Sequence, residues 1–310
     1  MILSVSRRTD IPRYYLDWFL KRLEEQYVLV RNPMNFHQIS RVNLSLDIID
    51  CITFWTKDPS PMLDKIEELS PYPYYVQFTI NPYDNDLECN LPRKEELLST
   101  FQKLSNIIGA ERVVWRYSPV IINEKYTEDF HISKFEEYAN TLNRYTKCCN
   151  FAFIDIYRKI EKSMSAMGIY DISENMKLRL SSSFLSIAKK NNIELRACGN
   201  IDLKKTGMTP AKCIDDELIS KITGKSFNLK KDTNQPSKCN CISSIEVGTY
   251  NTCLNGCIYC YANQTSISSI KNKINSYDVN SPLLCSTLLP DDKITERIVK
   301  ADGHNQISLF

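Results

Sequence analysis

The chain has 310 residues, 43% hydrophobic and 25% charged, with 39 basic and 37 acidic side chains that leave a formal net charge of +2. That length supports one large domain or two modest ones. The near-neutral balance excludes broad coating of nucleic acid, and eight glycines with ordinary aromatic content exclude a fibrous or low-complexity protein. The first strand is expected over Ile2–Val5, followed by Ser6-Arg7-Arg8-Thr9-Asp10-Ile11-Pro12 and a helix starting near Pro12. Leu16, Phe19, Leu20 and Leu23 give that helix an apolar stripe. Tyr27–Arg31 and Gln38–Leu44 read as a small hairpin or an insertion, Cys51–Thr56 as a buried strand, and Met62–Leu69 as a short helix. Tyr75–Ile80 is the next strand, then a helix with Leu97, Leu98, Phe101, Leu104 and Ile108 on one face, stopped by Gly109.

A strand over Arg112–Ile122, a helix over Ser133–Tyr145 and a strand over Phe151–Ile156 follow. Ile172–Lys190 reads as a long helix, Ile193–Cys198 as a strand, and Ile242–Val247 as the last strand. Alternation of this kind predicts a parallel sheet with helical crossovers, as a partial or complete β/α barrel. Residues 1–224 are expected to form the barrel body, 225–238 a flexible connector, and 239–310 an iron–sulfur-binding segment that completes the barrel and ends in a tail. The opening apolar run is too short for a signal peptide, and no stretch reaches the roughly 18 apolar residues of a membrane span. A cytoplasmic protein with no membrane partner is expected.

Twelve cysteines are unusual in a compartment that keeps thiols reduced, and five of them lie between Cys239 and Cys260. Cys253-Leu-Asn-Gly-Cys257-Ile-Tyr-Cys260 places three thiols with three and then two intervening residues. On a loop turned at Gly256, such spacing lets three thiolates grip one 4Fe–4S cluster and leave the fourth iron open to a small molecule. Structural zinc or buried free thiols are the plainer alternatives.

These residues resemble the cluster motif of the radical S-adenosylmethionine (SAM) enzymes, Cys-x-x-x-Cys-x-aromatic-Cys. Tyr261-Ala262-Asn263 and the run from Glu111 to Ile121 resemble the spore photoproduct lyase-like branch. From Ser4-Val-Ser-Arg-Arg-Thr-Asp-Ile-Pro to Leu309-Phe310 the chain resembles domain-of-unknown-function family 1848. The resemblance implies a cluster on Cys253, Cys257 and Cys260, SAM on its open iron with Tyr259 and Asn263 beside it, and hydrogen abstraction from a substrate. It also implies a reductant such as flavodoxin or ferredoxin. The substrate, whether small molecule, peptide or nucleotide, is not implied. Radical SAM enzymes usually carry the motif after their first strand. Its late position here predicts a circularly permuted barrel, with Ile242–Val247 as the usual first strand and Met1–Val5 as the second. A metal-stabilised binding or electron-transfer protein without SAM chemistry is the alternative.

Cys198, Cys213, Cys239 and Cys241 form a second set, open to an auxiliary 4Fe–4S cluster or zinc, with scattered core cysteines as the alternative. Arg8 and Asp10 follow the first strand, where they could bind the charged ends of SAM or an anionic substrate. Otherwise Asp10 caps the helix and the arginines are solvated. Lys57 and Arg116, at expected strand ends, could hold a phosphate or carboxylate, or form structural ion pairs. Asp155, expected inside an apolar strand, requires a partner. His37, His131 and His304 read as surface or loop residues.

Overall fold

The computed structural model describes residues 1–305 apart from Asn200, Gln264 and Ser266, so the Leu309-Phe310 end of the resemblance and the side chain of His304 lie outside the described residues. Eight strands make one sheet: β1 Ile2–Val5, β2 Cys51–Thr56, β3 Tyr74–Thr79, β4 Val113–Val120, β5 Cys148–Phe153, β6 Glu194–Ala197, β7 Thr209–Pro210 and β8 Ile245–Val247. Every pairing is parallel, and the lateral order is β8-β1-β2-β3-β4-β5-β6-β7. The last strand in the chain thus lies beside the first, with Leu3 opposite Ile245 and Val5 opposite Val247. Helices flank this mixed α/β arrangement. Among the described residues no ladder joins β7 to β8.

Alternation along each strand sorts the sheet into two faces. Leu3, Val5, Ile52, Phe54, Val76, Phe78, Trp115, Tyr117 and Phe151 belong to the main apolar core. There the helices Lys94–Ile108, Glu128–Leu142 and Glu174–Lys190 contribute Phe101, Phe135 and Phe184. Trp115 stacks on Phe135 at 4.9 Å and Phe135 on Phe184 at 4.4 Å. The residues between them face the other way, and toward the C-terminal ends of the strands that face is polar: Glu246, Ser4, Thr53, Gln77, Arg116 and Asn150. Ser4, Thr53, Gln77 and Asn150 on that face are buried, and Arg116 and Glu246 are half-buried.

Helix starts follow their caps. Asp10 accepts from the backbone N–H of Arg13 and opens Ile11–Tyr14, and Ser173 accepts from that of Met176 to open Glu174–Lys190. The hairpin Tyr27–Arg31/Gln38–Asn43 forms as expected. Lys293–Glu296 adds a strand parallel to it, and a bidentate Arg31–Asp292 pair at 2.6 and 2.8 Å holds the chain there. Within 225–238, Lys225–Ser226 pairs with His304–Asn305, and Asp232 is buried, its N–H donating to the Cys241 carbonyl. No helix among the described residues is long and apolar enough to cross a membrane.

Four expectations are corrected. Asp155 lies beyond β5 rather than inside a strand, because Cys148 and Cys149 pack as apolar residues and start the strand earlier. Arg116 sits mid-strand, since pairing in β4 continues to Val120. The last strand begins at Ile245 rather than Ile242, because Ile242 and Ser243 pair instead with the Ile214 and Lys230 carbonyls. His131 is fully buried, with Nε2 on the Ile121 carbonyl at 2.7 Å and Nδ1 on the Tyr117 hydroxyl at 2.8 Å.

Candidate functional site

The C-terminal edge of a parallel sheet gathers loops from every strand, and chemistry concentrates there. β8 leaves the sheet at Gly248, whose φ is +144° and where a Cβ would meet Ser6 Oγ at 2.2 Å. Only glycine lets the chain pass so close to the exit of β1. The loop is then tied down at many points. Tyr15 O–H donates to the Thr252 carbonyl at 2.6 Å, Asn90 Nδ2 to the Leu254 carbonyl at 2.8 Å, and Ile258 N–H to the Leu87 carbonyl at 3.0 Å. Arg13 Nη1 donates to Asn255 Oδ1 at 2.6 Å, and Asn255 Nδ2 to Asp10 Oδ2 at 2.9 Å. Gly256 takes the expected tight turn with φ +66°.

This loop carries Cys253, Cys257 and Cys260, all half-buried and unbridged. The Cys260 sulfur receives the Ala262 N–H at 3.3 Å, and the nearby backbone amides of Asn255 and Asp10 at Cys253, and of Asn263 at Cys260, favour the thiolate. Burial pushes all three thiols up; the charge on Lys57 works against this at Cys257 and Cys260, while Cys260 adds to the rise at Cys253 and Cys257. Among the described residues no group of three or more His, Cys, Asp or Glu could hold a metal ion as arranged. A single tetrahedral metal draws thiolate sulfurs to about 3.8 Å from one another, given metal–sulfur bonds of about 2.3 Å. A cubane spreads its ligands over separate irons and asks for a wider triangle. Three thiols on one loop, with the Ala262 N–H on the Cys260 sulfur, are a donor set of the chemical kind that iron–sulfur clusters take. Two buried acceptors nearby, Thr9 Oγ1 and Asn263 Oδ1, have no partner among the described residues.

Glu88, which the sequence reading missed, is the hub beneath the loop. It is 1% exposed and accepts from Lys57 Nζ at 2.7 Å, Asn81 Nδ2 at 3.2 Å, Lys94 Nζ and the Tyr259 hydroxyl. Burial alone would raise its pKa, but the two ammonium groups outweigh that and hold it down at about 2. Its backbone also bridges to Cys257. Glu88 belongs to no spacing motif; its place in the loop after β3 was the only sequence signal.

The remaining expected residues divide. Lys57 directly follows β2, as expected, and turns to Glu88 and the Tyr259 ring, 5.5 Å away. Tyr259 is buried against Tyr83 at 6.0 Å. Both Asp10 oxygens are occupied, Oδ1 by Arg13 N–H and Oδ2 by Lys57 N–H and Asn255, so Asp10 caps the helix and locks the loop. Arg8 is half-buried; it reaches the Gly248 carbonyl at 3.4 Å, lies over the Tyr250 ring at 5.2 Å and makes no ion pair among the described residues. Arg7 pairs with Glu246 at 3.0 Å. Asn263 Nδ2 donates to the Cys253 carbonyl at 2.7 Å. Asp155 is half-buried, with Oδ2 3.8 Å from where a Cβ would stand on Gly199, beside Cys198.

The second cysteine set also meets. Cys213 N–H donates to Cys241 Sγ at 3.2 Å, and Cys198 and Cys239 are close enough to Cys213 and Cys241 for each thiol to act on its neighbour. Arg116 Nη1 lies 2.7 Å from Cys213 Sγ, and its guanidinium covers Trp55 at 4.8 Å. Hydrogen bonds from its thiol neighbours hold Cys213 well below the usual thiol range, and Arg116 adds to this; the Cys241 thiol holds Cys239 down at about 6. By contrast, burial pushes up Cys51, Cys148 and Cys149, as in ordinary core residues.

Comparison with curated proteins and with solved structures gives no match. The family model described as "Domain of unknown function (DUF1848)" matches residues 2–262, from β1 through all three cysteines of the loop. The chain therefore belongs to the DUF1848 family.

Proposed function

We propose that this protein is a radical SAM enzyme on a circularly permuted, partial β/α barrel. The observation that carries the reading is the Cys253–Cys257–Cys260 loop at the C-terminal end of β8, a strand that lies beside β1 although most of the chain separates them. A motif strand placed before β1 is what the permutation expects. The three thiols would hold a 4Fe–4S cluster. When bound, such a cluster with SAM on its open iron supplies the electron that splits SAM into methionine and a 5′-deoxyadenosyl radical, which takes a hydrogen atom from the substrate.

The chain's own part is to hold and orient. Asp10, Asn255, Arg13 and Asn90 fix the loop backbone, and Glu88 fixes Lys57 and Tyr259 behind it. Arg8, with no carboxylate partner among the described residues, is the cation available to a ligand carboxylate. Thr9 Oγ1 and Asn263 Oδ1 are acceptors available to a ligand amino group. The polar face lined by Trp55, Arg116 and Asn150 would receive the substrate, and a flavodoxin or ferredoxin would supply electrons.

Anaerobically reconstituted protein given dithionite and SAM should release 5′-deoxyadenosine, and Cys257→Ala should abolish the release. Cluster-loaded protein that forms no 5′-deoxyadenosine would refute the proposal.

A further inference from the structure

We infer that Cys198, Cys213, Cys239 and Cys241 form a second, tetrathiolate metal centre that staples the two outer edges of the sheet. The inference does not depend on radical chemistry at the other loop.

The argument begins with the seam. β7 and β8 end the sheet on opposite sides with no ladder between them among the described residues. The segments around them nonetheless touch. Ile242 N–H donates to the Ile214 carbonyl at 3.2 Å, and Cys213 N–H donates to Cys241 Sγ at 3.2 Å. Cys213 is anchored from the sheet as well, its carbonyl accepting from Tyr75 O–H at 2.7 Å and Gln77 Nε2 at 3.0 Å. Cys198 directly follows β6, and its N–H donates to the Phe151 carbonyl at 2.9 Å. Four cysteines from three separate stretches of chain therefore meet where the sheet has no hydrogen bonds of its own.

Their surroundings differ from those of core thiols. Arg116 makes no ion pair with a carboxylate among the described residues; its partners are the Cys213 sulfur and the Trp55 ring. A half-buried guanidinium is stabilised by a negative partner. Four thiolates around a divalent metal carry an excess of two negative charges, and Arg116 offsets one of them. In the thiol form the four side chains are not arranged to hold an ion. Binding would require the half-buried outer pair, Cys198 and Cys239, to turn about their side-chain torsions toward Cys213 and Cys241. Zinc and a 4Fe–4S cluster share this ligand chemistry, and loading distinguishes them.

The test uses the full chain with Cys253→Ala, Cys257→Ala and Cys260→Ala combined, loaded anaerobically with Zn²⁺ alone or with Fe²⁺ and sulfide. About one zinc, or about four irons with matching labile sulfide, should remain per chain. Adding Cys213→Ser should lower that content at least about tenfold. Zinc would mark a structural staple and iron with sulfide an auxiliary cluster; metal at background level in both loadings overturns the inference. Because the added serine could unfold the chain, alkylation of the wild-type protein is mapped by mass spectrometry with and without metal. Cys198 and Cys239 should react at least about tenfold more slowly when metal is present. Equal rates overturn the inference. Failure of the three-cysteine reading would look different, with the wild type and the triple variant holding the same amount of metal.

Discussion

Replacing Glu88 by glutamine tests whether one buried carboxylate supports the cysteine loop. The carboxylate is 1% exposed and faces two ammonium groups, Lys57 Nζ at 2.7 Å and Lys94 Nζ. Glutamine keeps the shape and one acceptor but leaves both cations without a counter-charge. Breaking such a buried pair costs about 3 kcal/mol or somewhat more. Linkage gives a similar figure. The folded-state pKa is held at about 2 against an ordinary 4.5, and a difference of that size is worth about 3 kcal/mol. The sign follows from the depression. The contribution is complete above pH about 4.5 and disappears as pH falls toward 2, because the unfolded chain takes up the proton first. Urea and thermal unfolding of the metal-free protein should show E88Q about 3 kcal/mol less stable at pH 7, a fall in Tm of about 6 °C. The gap to wild type should close near pH 2. A variant within about 0.5 kcal/mol of wild type at pH 7 would refute the reasoning.

Three further outcomes follow from named contacts. His131 is buried neutral with its pKa lowered to about 4, so wild-type stability should fall by about 3 kcal/mol between pH 6.5 and 4, and urea titrations of His131→Gln should lack that slope. Gly256→Ala forces an alanine into a left-handed turn, with Cβ 2.9 Å from Asn90 Nδ2. It should cost about 1–2 kcal/mol in unfolding experiments and reduce iron retained after reconstitution. Phe184→Ala empties one side of the Trp115–Phe135–Phe184 stack and should cost about 3–5 kcal/mol in chemical denaturation without changing the metal content.

Much of the sheet was legible because its strands are apolar runs between helices with clear stripes. The placing of Ile242–Val247 beside Met1–Val5 followed from the late cysteine motif, and the ladder Leu3–Ile245 agrees. Thr209–Pro210 escaped notice because two residues have no periodicity, and proline is tolerated there only because β7 is an edge. Strand limits slipped where polar residues face a buried interior. Arg116 reads as a strand end in sequence, yet it sits mid-strand because a sulfur and an indole receive it. Asp10 was readable as a cap from its position before Ile11-Pro12. Glu88 was not, since its four partners come from the residue after β2, the loop after β3, the start of the helix Lys94–Ile108 and the cysteine loop. Contacts of that kind exist only once the chain has folded.

The most direct measurement is iron and labile sulfide after anaerobic reconstitution, with electron paramagnetic resonance of the reduced protein before and after SAM is added. The account predicts about four irons on the three-cysteine loop, more if the second set also takes a cluster, and a signal that shifts when SAM binds. A protein that takes up no iron, or a cluster signal indifferent to SAM, would contradict it.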